Sequence, residues 1–148
     1  MSAELDNRVR LHLYERFVET GRPPSVTEVA SALRLDEREA EDAYRRLEEA
    51  RVIVLAPGTT NVWMANPLSA YPTPFRVETE RGTYWGSCIW DALGIPPMLG
   101  VDGTVRTSCP DCGDGLLLHV RDDALVPTDV VCHFAVPAAR WWENIGYT

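Results

Sequence analysis

Residues 66–94 read NPLSAYPTPFRVETERGTYWGSCIWDALG, and this stretch decides how the second half of the chain folds. It begins with three prolines in nine residues. Each proline fixes its φ angle and lacks an amide donor, so residues 66–74 are predicted to be an extended linker. Residues 75–80 then alternate uncharged and charged side chains, Arg81-Gly82 marks a turn and residues 83–86 return, which predicts a β-hairpin with one buried face. The linker separates two predicted domains, residues 1–65 and residues 75–148.

The predicted hairpin leads into residues 86–94, where a strand is expected to run into a short helix. With Ser87 as the helix cap, Cys88 lies in the first turn, where unpaired amides and the helix dipole favour a thiolate and lower the thiol pKa. Asp91 follows three residues later, so its carboxylate is expected on the same helix face as the sulfur. That face would hold a soft nucleophile and a proton carrier together. The alternative is a buried structural cysteine beside a solvated aspartate.

The first 65 residues carry the patterns of three helices and a hairpin. Apolar residues at four-residue spacing predict a first helix that ends at Gly21, namely Leu5, Val9, Leu13 and Phe17. Two capping-box pairs open two further helices, Ser25 with Glu28 and Asp36 with Glu39. Two short strands follow, at residues 52–55 and 61–64. This order indicates a winged-helix-like domain, so the predicted fold class is α+β, with a small mixed β domain and short helices after the linker.

The charge of the chain argues against a nucleic-acid partner. Its 14 Lys and Arg residues face 22 Asp and Glu residues, which gives a net charge of -8. The predicted third helix with its flanks, residues 36–51, holds seven acids and four arginines. Binding to phosphates needs clustered cations. A structural role or dimerisation, as in a homodimer, is therefore favoured over DNA binding for this helix.

The chain begins without the basic and then apolar order of a signal peptide, and it has no apolar run near the ~18 residues of a membrane span. We therefore expect a soluble, cytoplasmic protein with no membrane partner. Cysteines in that compartment are expected to be reduced thiols, and the chain has four: Cys88, Cys109, Cys112 and Cys132. Phosphate-binding glycine loops, Ser/His/Asp order and zinc-protease signatures are missing from the sequence, which excludes nucleotide chemistry and the common hydrolases.

Residues 109–115, CPDCGDG, are predicted to form a tight turn between strands at residues 105–107 and 116–120. A C-x-x-C pair followed by glycine is a good half-site for tetrahedral zinc. Further zinc ligands would have to come from four side chains: Cys132, His133, His119 and Cys88. Three interpretations of Cys109 and Cys112 stay open: a zinc half-site, a free dithiol that captures or transfers a soft metal, and a reversible disulfide.

Several segments resemble the organomercurial (alkylmercury) lyase family. They are residues 66–77, the hairpin end Tyr84-Trp85, residues 88–100 with Cys-Ile-Trp-Asp-Ala-Leu-Gly, residues 132–137 with Cys-His-Phe-Ala-Val-Pro, and Trp141-Trp142. The likeness covers most of the chain in order. It implies a winged-helix-like N-terminal part followed by a mixed β domain whose strand-to-helix turn carries Cys-x-x-Asp.

The resemblance also implies a reaction, protonolysis of a carbon–mercury bond by two thiolates and one carboxylate. Mercury is soft and prefers sulfur, and thiolate ligation places negative charge on the departing carbon. A positioned acid then delivers the proton. By motif, Cys88 is the first thiol, Asp91 the proton carrier and Cys132 the second thiol. No cofactor is implied, and the expected partners are a small organometallic substrate and external thiols.

The lyase and zinc interpretations require the same sulfur, because Cys132 cannot both bind mercury beside Cys88 and complete a zinc site with Cys109 and Cys112. The alternative function is therefore a non-catalytic, cysteine-based metal-binding or metal-sensing protein with a winged-helix domain. Trp90, beside the candidate nucleophile, is a further candidate for the wall of an apolar pocket.

Overall fold

The structure, a computed structural model, describes residues 2–146; Met1, Tyr147 and Thr148, at the outer ends of the two predicted domains, lie outside the described residues. Three helices come first: α1, Ser2–Thr20; α2, Val26–Leu33; and α3, Glu37–Glu49. The apolar stripe of α1 is buried at Val9, Leu13 and Phe17. Both predicted capping boxes form, since each cap side chain accepts the N3 amide and each N3 glutamate accepts the cap amide.

A three-stranded antiparallel sheet follows the helices: β1, Val54–Leu55; β2, Val62–Ala65; and β3, Leu68–Ser69. The first two strands confirm the predicted hairpin, with small differences at the strand ends. β3 lies inside the predicted linker and pairs Leu68 with Ala65. Leu68 is fully buried and also forms a bridge with Gly86, so this part of the linker joins the two halves of the chain. The division into domains 1–65 and 75–148 stays a prediction.

The second sheet has five strands among the described residues: β4, Arg76–Thr79; β5, Gly82–Trp85; β6, Gly103–Ser108; β7, Gly115–Arg121; and β8, Ala124–Leu125. Their order in the sheet is β5-β4-β6-β7-β8, and each pair of neighbouring strands is antiparallel. β4 with β5 confirms the predicted hairpin, and β6 with β7 confirms the strands around the Cys-Pro-Asp-Cys turn. A further helix, α4, spans Ile89–Leu99, and a 3-10 helix spans Ala138–Glu143. The α+β class is confirmed.

One cluster of buried side chains within residues 2–146 continues from the helices through both sheets. It includes Phe17 of α1, Leu68 of β3 and Ile95 of α4. Two tyrosine hydroxyls tie α1 to later parts of the chain: Tyr14 donates to the Asn66 carbonyl and Tyr84 to the Val18 carbonyl, both at 2.8 Å. Helix α4 contacts β3 of the first sheet and β4, β6 and β7 of the second. None of the helices described is both long and apolar enough to cross a bilayer.

Candidate functional site

Cys88 caps helix α4. Its Sγ accepts the Asp91 amide at 3.4 Å, and its carbonyl accepts the Ala92 amide at 2.9 Å. The prediction of Ser87 as the cap is therefore wrong by one residue. The cause lies outside the helix, because the Ser87 amide donates to the Pro67 carbonyl at 3.4 Å and keeps Ser87 in the segment that precedes the helix. The sulfur itself thus stands at the helix N-terminus.

Gly86 lets α4 come close to the chain that precedes it. A Cβ atom at Gly86 would lie 2.6 Å from the backbone N and Cα atoms of Ala92. No side chain fits in that space, so the glycine is required by a close approach of backbone to helix. The approach brings the first turn of α4, and with it Cys88 and Asp91, against residues of the first sheet.

Cys88 and Asp91 are both partly buried, and burial shifts the pKa of each. Burial raises the pKa of Cys88 to about 11, although the hydrogen bond from the Asp91 amide opposes the rise. Burial also raises the pKa of Asp91, while its hydrogen bond with the Cys88 thiol opposes that change. The prediction of a lowered Cys88 pKa is wrong, because loss of water around the sulfur outweighs the helix amides. With its pKa raised to about 11, the Cys88 thiol is protonated at neutral pH.

Two neighbouring cavities meet at Cys88. The larger, about 420 Å³, has a mainly apolar wall that includes Met64, Phe75, Phe134 and Trp141. The smaller, about 120 Å³, reaches the Asp91 side chain. The pair is therefore open to a small ligand with an apolar part. Ser87 lines both cavities, and its buried Oγ has no hydrogen-bond partner among residues 2–146.

An aromatic group closes one side of this site. The Phe134 and Trp141 rings lie 5.2 Å apart and are tilted by 44°, and Trp90 lies 6.3 Å from Phe134. Trp90 is 68% exposed and lines neither cavity, so the interpretation of Trp90 as the pocket wall is wrong. Phe134 and Trp141 take that position. Sequence reasoning missed their role, although both stand in segments that resemble the lyases.

Cys132 is not brought into this site. It is exposed and lines neither cavity, whereas the next residue, His133, lines the larger one. Cys132 and His133 lie in a segment, residues 126–137, that contains no strand. The role of Cys132 as a second thiol stays a prediction.

Cys109 and Cys112 lie in the tight turn between β6 and β7. The Cys109 amide donates to the Asp114 carbonyl and the Gly113 amide to the Cys109 carbonyl, both at 2.9 Å. Hydrogen bonds to the Cys109 sulfur, first from the Cys112 amide and then from the Asp111 amide, lower the pKa of the Cys109 thiol. The Cys112 thiol lowers the pKa of Cys109 in the same direction. This pair lines neither of the cavities at Cys88.

The other zinc ligands considered from sequence do not gather at this turn. Among residues 2–146, no three His, Cys, Asp or Glu side chains are grouped as a metal site requires. His119 Nδ1 lies 3.1 Å from Thr104 Oγ1, which accounts for one of its nitrogens. The described residues therefore do not support a tetrahedral zinc site at Cys109 and Cys112.

Comparison with known proteins decides the family. The sequence profile described as alkylmercury lyase matches residues 68–148, which include the Cys88–Asp91 pair and all four cysteines. The chain belongs to the alkylmercury lyase family. The resemblance seen in the sequence is thereby confirmed. No curated protein matches the chain.

A solved structure of this family is similar in fold. It is described as the mercury-bound form of MerB2, and it matches with a TM-score of 0.63 at 17% sequence identity. The match covers 82% of this chain and 59% of the MerB2 chain, so this chain spans about three fifths of the length of MerB2. At this identity the likeness shows a shared fold.

Proposed function

We propose that this protein cleaves the carbon–mercury bond of organomercurials by protonolysis, with Cys88 as the mercury-binding thiol and Asp91 as the proton carrier. The proposal is carried by one observation: Cys88 and Asp91 stand on the first turn of α4, joined by the bond from the Asp91 amide to the Cys88 sulfur, and both line the same cavity. Membership of the alkylmercury lyase family supports the choice of reaction.

The raised pKa values suit this chemistry. A thiol with a pKa near 11 cannot bind mercury as a thiolate at neutral pH unless its proton leaves, and the Asp91 carboxyl is positioned to accept it. Burial of Asp91 disfavours its charged form, so the carboxylate readily accepts this proton and holds it until negative charge develops on the departing carbon. The same group therefore acts first as a base and then as an acid.

The proposed reaction moves one proton twice, first from Cys88 to Asp91 and then from Asp91 to carbon. The Cys88 thiol transfers its proton to Asp91 as the sulfur–mercury bond forms and a weaker ligand leaves mercury. Ligation by soft sulfur moves electron density to the carbon. Asp91 then protonates that carbon, the electron pair of the carbon–mercury bond becomes the new carbon–hydrogen bond, and a hydrocarbon leaves. Mercury(II) remains bound to sulfur.

A second thiolate completes the mercury coordination in this proposal, and we assign it to Cys132 or to an external thiol. Cys132 directly precedes His133, which lines the larger cavity. An inward turn of this segment would bring the sulfur toward Cys88. External thiols would then remove the metal from the protein.

The organic group of the substrate is proposed to occupy the larger cavity. A volume of about 420 Å³ with Phe75, Phe134 and Trp141 in its wall can hold an alkyl chain or an aromatic ring. Burying apolar surface there is favourable by about 25 cal/mol per Å². Aromatic walls also suit a flat ring, which favours an arylmercurial.

The test is hydrocarbon release. Purified, reduced protein is incubated with phenylmercury or methylmercury and excess small thiol, and benzene or methane is measured by gas chromatography. Cys88→Ser should abolish release, and Asp91→Asn should lower it by about 100-fold or more, because proton transfer by a positioned group contributes on that order.

Asp123→Asn is the matched control for Asp91→Asn. Asp123 lies in the exposed turn before β8 at a φ of 61°, a conformation that asparagine also adopts. This variant should release hydrocarbon within about twofold of the wild-type rate. Wild-type release no faster than that of the thiol alone would remove the lyase proposal. If Cys132→Ser leaves the rate of hydrocarbon release unchanged, the second thiol is supplied by the external thiol.

A further inference from the structure

The turn that carries Cys109 and Cys112 is built around its sulfurs. Cys109 and Cys112 are separated by only two residues, and both lie in the turn that joins β6 to β7. The turn is closed by backbone hydrogen bonds of 2.9 Å at Cys109 and Gly113, and Gly113 adopts a φ of 78°. Both thiols are accessible, since Cys112 is exposed and Cys109 is partly exposed.

We propose that this Cys109–Cys112 turn is a preorganised binding site for one soft metal cation held by two thiolates, such as mercury(II), silver(I) or copper(I). The site is separate from the Cys88 cavities and does not depend on the lyase reaction. Binding forms two sulfur–metal bonds and releases the two thiol protons to solvent.

The ligand set selects the cation. Thiolates prefer soft metals, and the cations named above are satisfied by two sulfur ligands. Zinc prefers four ligands in a tetrahedron. Among the residues described, the two cysteines have no third His, Cys, Asp or Glu side chain grouped with them. A two-ligand site at an exposed turn therefore fits a two-coordinate soft ion and leaves zinc under-coordinated.

The backbone closure of the turn gives the site its preorganisation. The hydrogen bonds from the Cys109 amide to Asp114 and from the Gly113 amide to Cys109 fix the backbone on both sides of Cys112 before any metal binds. The C-x-x-C spacing within this closed turn keeps the two cysteines near each other, so a metal links them with little movement of the chain. The second sulfur then binds at high effective concentration, which adds on the order of 100-fold to affinity over one thiol.

The test measures mercury(II) binding to the full chain carrying Cys88→Ser and Cys132→Ser, so that Cys109 and Cys112 are its remaining thiols. Binding is followed by native mass spectrometry in the presence of a competing monothiol. We expect one mercury per chain with loss of two protons. Adding Cys109→Ser or Cys112→Ser should weaken binding by about 100-fold. Equal affinity of the dithiol and single-thiol chains would overturn the proposal.

Gly113→Ala tests whether the turn is preorganised. Alanine is strained at this φ, so the unbound turn should relax and mercury binding should weaken by about fivefold or more. Gly115→Ala is the matched control, because neither glycine has an atom within 4 Å of the added Cβ and Gly115 lacks the positive φ. Equal affinity of the two variants would show an ordinary flexible dithiol and contradict the proposal.

Zinc binding tests the competing assignment, a tetrahedral site in place of a two-coordinate one. The wild-type chain is equilibrated with zinc alone under reducing conditions, and bound metal and oligomeric state are measured. We expect zinc to be lost on gel filtration. Retention of zinc by two chains joined through their Cys109–Cys112 turns would make the turn half of a tetrahedral site and overturn the two-coordinate assignment.

Discussion

The chemistry proposed at Cys88 depends on a thiol that is protonated rather than ionised. Burial raises the Cys88 pKa to about 11, and the hydrogen bond with Asp91 gives the departing proton a defined acceptor. A permanently ionised sulfur would bind any soft cation strongly. A protonated one binds only a ligand that makes proton transfer to Asp91 favourable. In the proposed reaction, the Cys88–Asp91 pair couples mercury binding to the proton that the carbon later needs.

This protonation state predicts how Cys88 reacts with an alkylating agent. Only the thiolate is nucleophilic, so the rate of Cys88 alkylation by iodoacetamide should rise about tenfold per pH unit from pH 7 and level off near pH 11. Peptide mass mapping separates it from Cys109, whose lowered pKa should make that thiol react at lower pH. A Cys88 rate that is already level at pH 7 would contradict the raised pKa.

At the scale of elements, the site depends on how closely α4 approaches the chain before it. Gly86 permits contact with the Ala92 backbone, and α4 buries Ala92 and Ile95 against the second sheet. The helix therefore cannot shift without moving Cys88. A second glycine of the same segment, Gly94, lies inside α4 with open space around its Cβ position. A side chain is therefore excluded at Gly86 but can be accommodated at Gly94.

We expect opposite stability changes from alanine at these two glycines. Gly86→Ala must push α4 away from its neighbour and should lower the free energy of unfolding by about 1–3 kcal/mol. Gly94→Ala removes backbone entropy from the unfolded chain and should raise it by about 0.5–1 kcal/mol. Urea denaturation followed by circular dichroism measures both. Equal effects of the two substitutions would show that the close approach at Gly86 is not required.

At the scale of the whole molecule, the core crosses the boundary suggested by the proline-rich stretch. Leu68 is buried between the two sheets, and the Tyr84 hydroxyl bonds to α1. Buried side chains of both halves belong to the same cluster. If residues 1–65 and 75–148 unfolded separately, the apolar surface that each half buries against the other would be exposed. Unfolding of the chain as a single cooperative unit is therefore favoured.

The continuous core predicts one unfolding transition. Far-UV circular dichroism reports mainly on α1, α2 and α3, whereas tryptophan fluorescence is dominated by the second half, which holds four of the five tryptophans. The two signals should give the same midpoint in urea. Tyr84→Phe removes the bond to Val18 and should lower stability by about 1 kcal/mol without separating the signals. Two distinct midpoints would instead support independent domains.

Local pattern was sufficient for the helices, the hairpins and the Cys88–Asp91 pairing. The stripe of α1, the two capping boxes and the β4–β5 alternation each depend on residues within about four positions of one another, and such neighbours interact in any tertiary context. The Cys-x-x-Asp spacing likewise placed sulfur and carboxyl on one helical turn. These features were predictable because their geometry is set by the chain's own periodicity.

The tertiary structure decided the protonation of Cys88, the walls of its cavities and the exposure of Cys132. Each depends on segments far apart in sequence: Met64 and Phe75 come from one side of the cysteine and Trp141 from well beyond it. Burial created by those segments reversed the pKa shift that the helix terminus alone predicts. Water exclusion is a property of the packed whole, and so the residue type was readable from sequence while its chemical state was not.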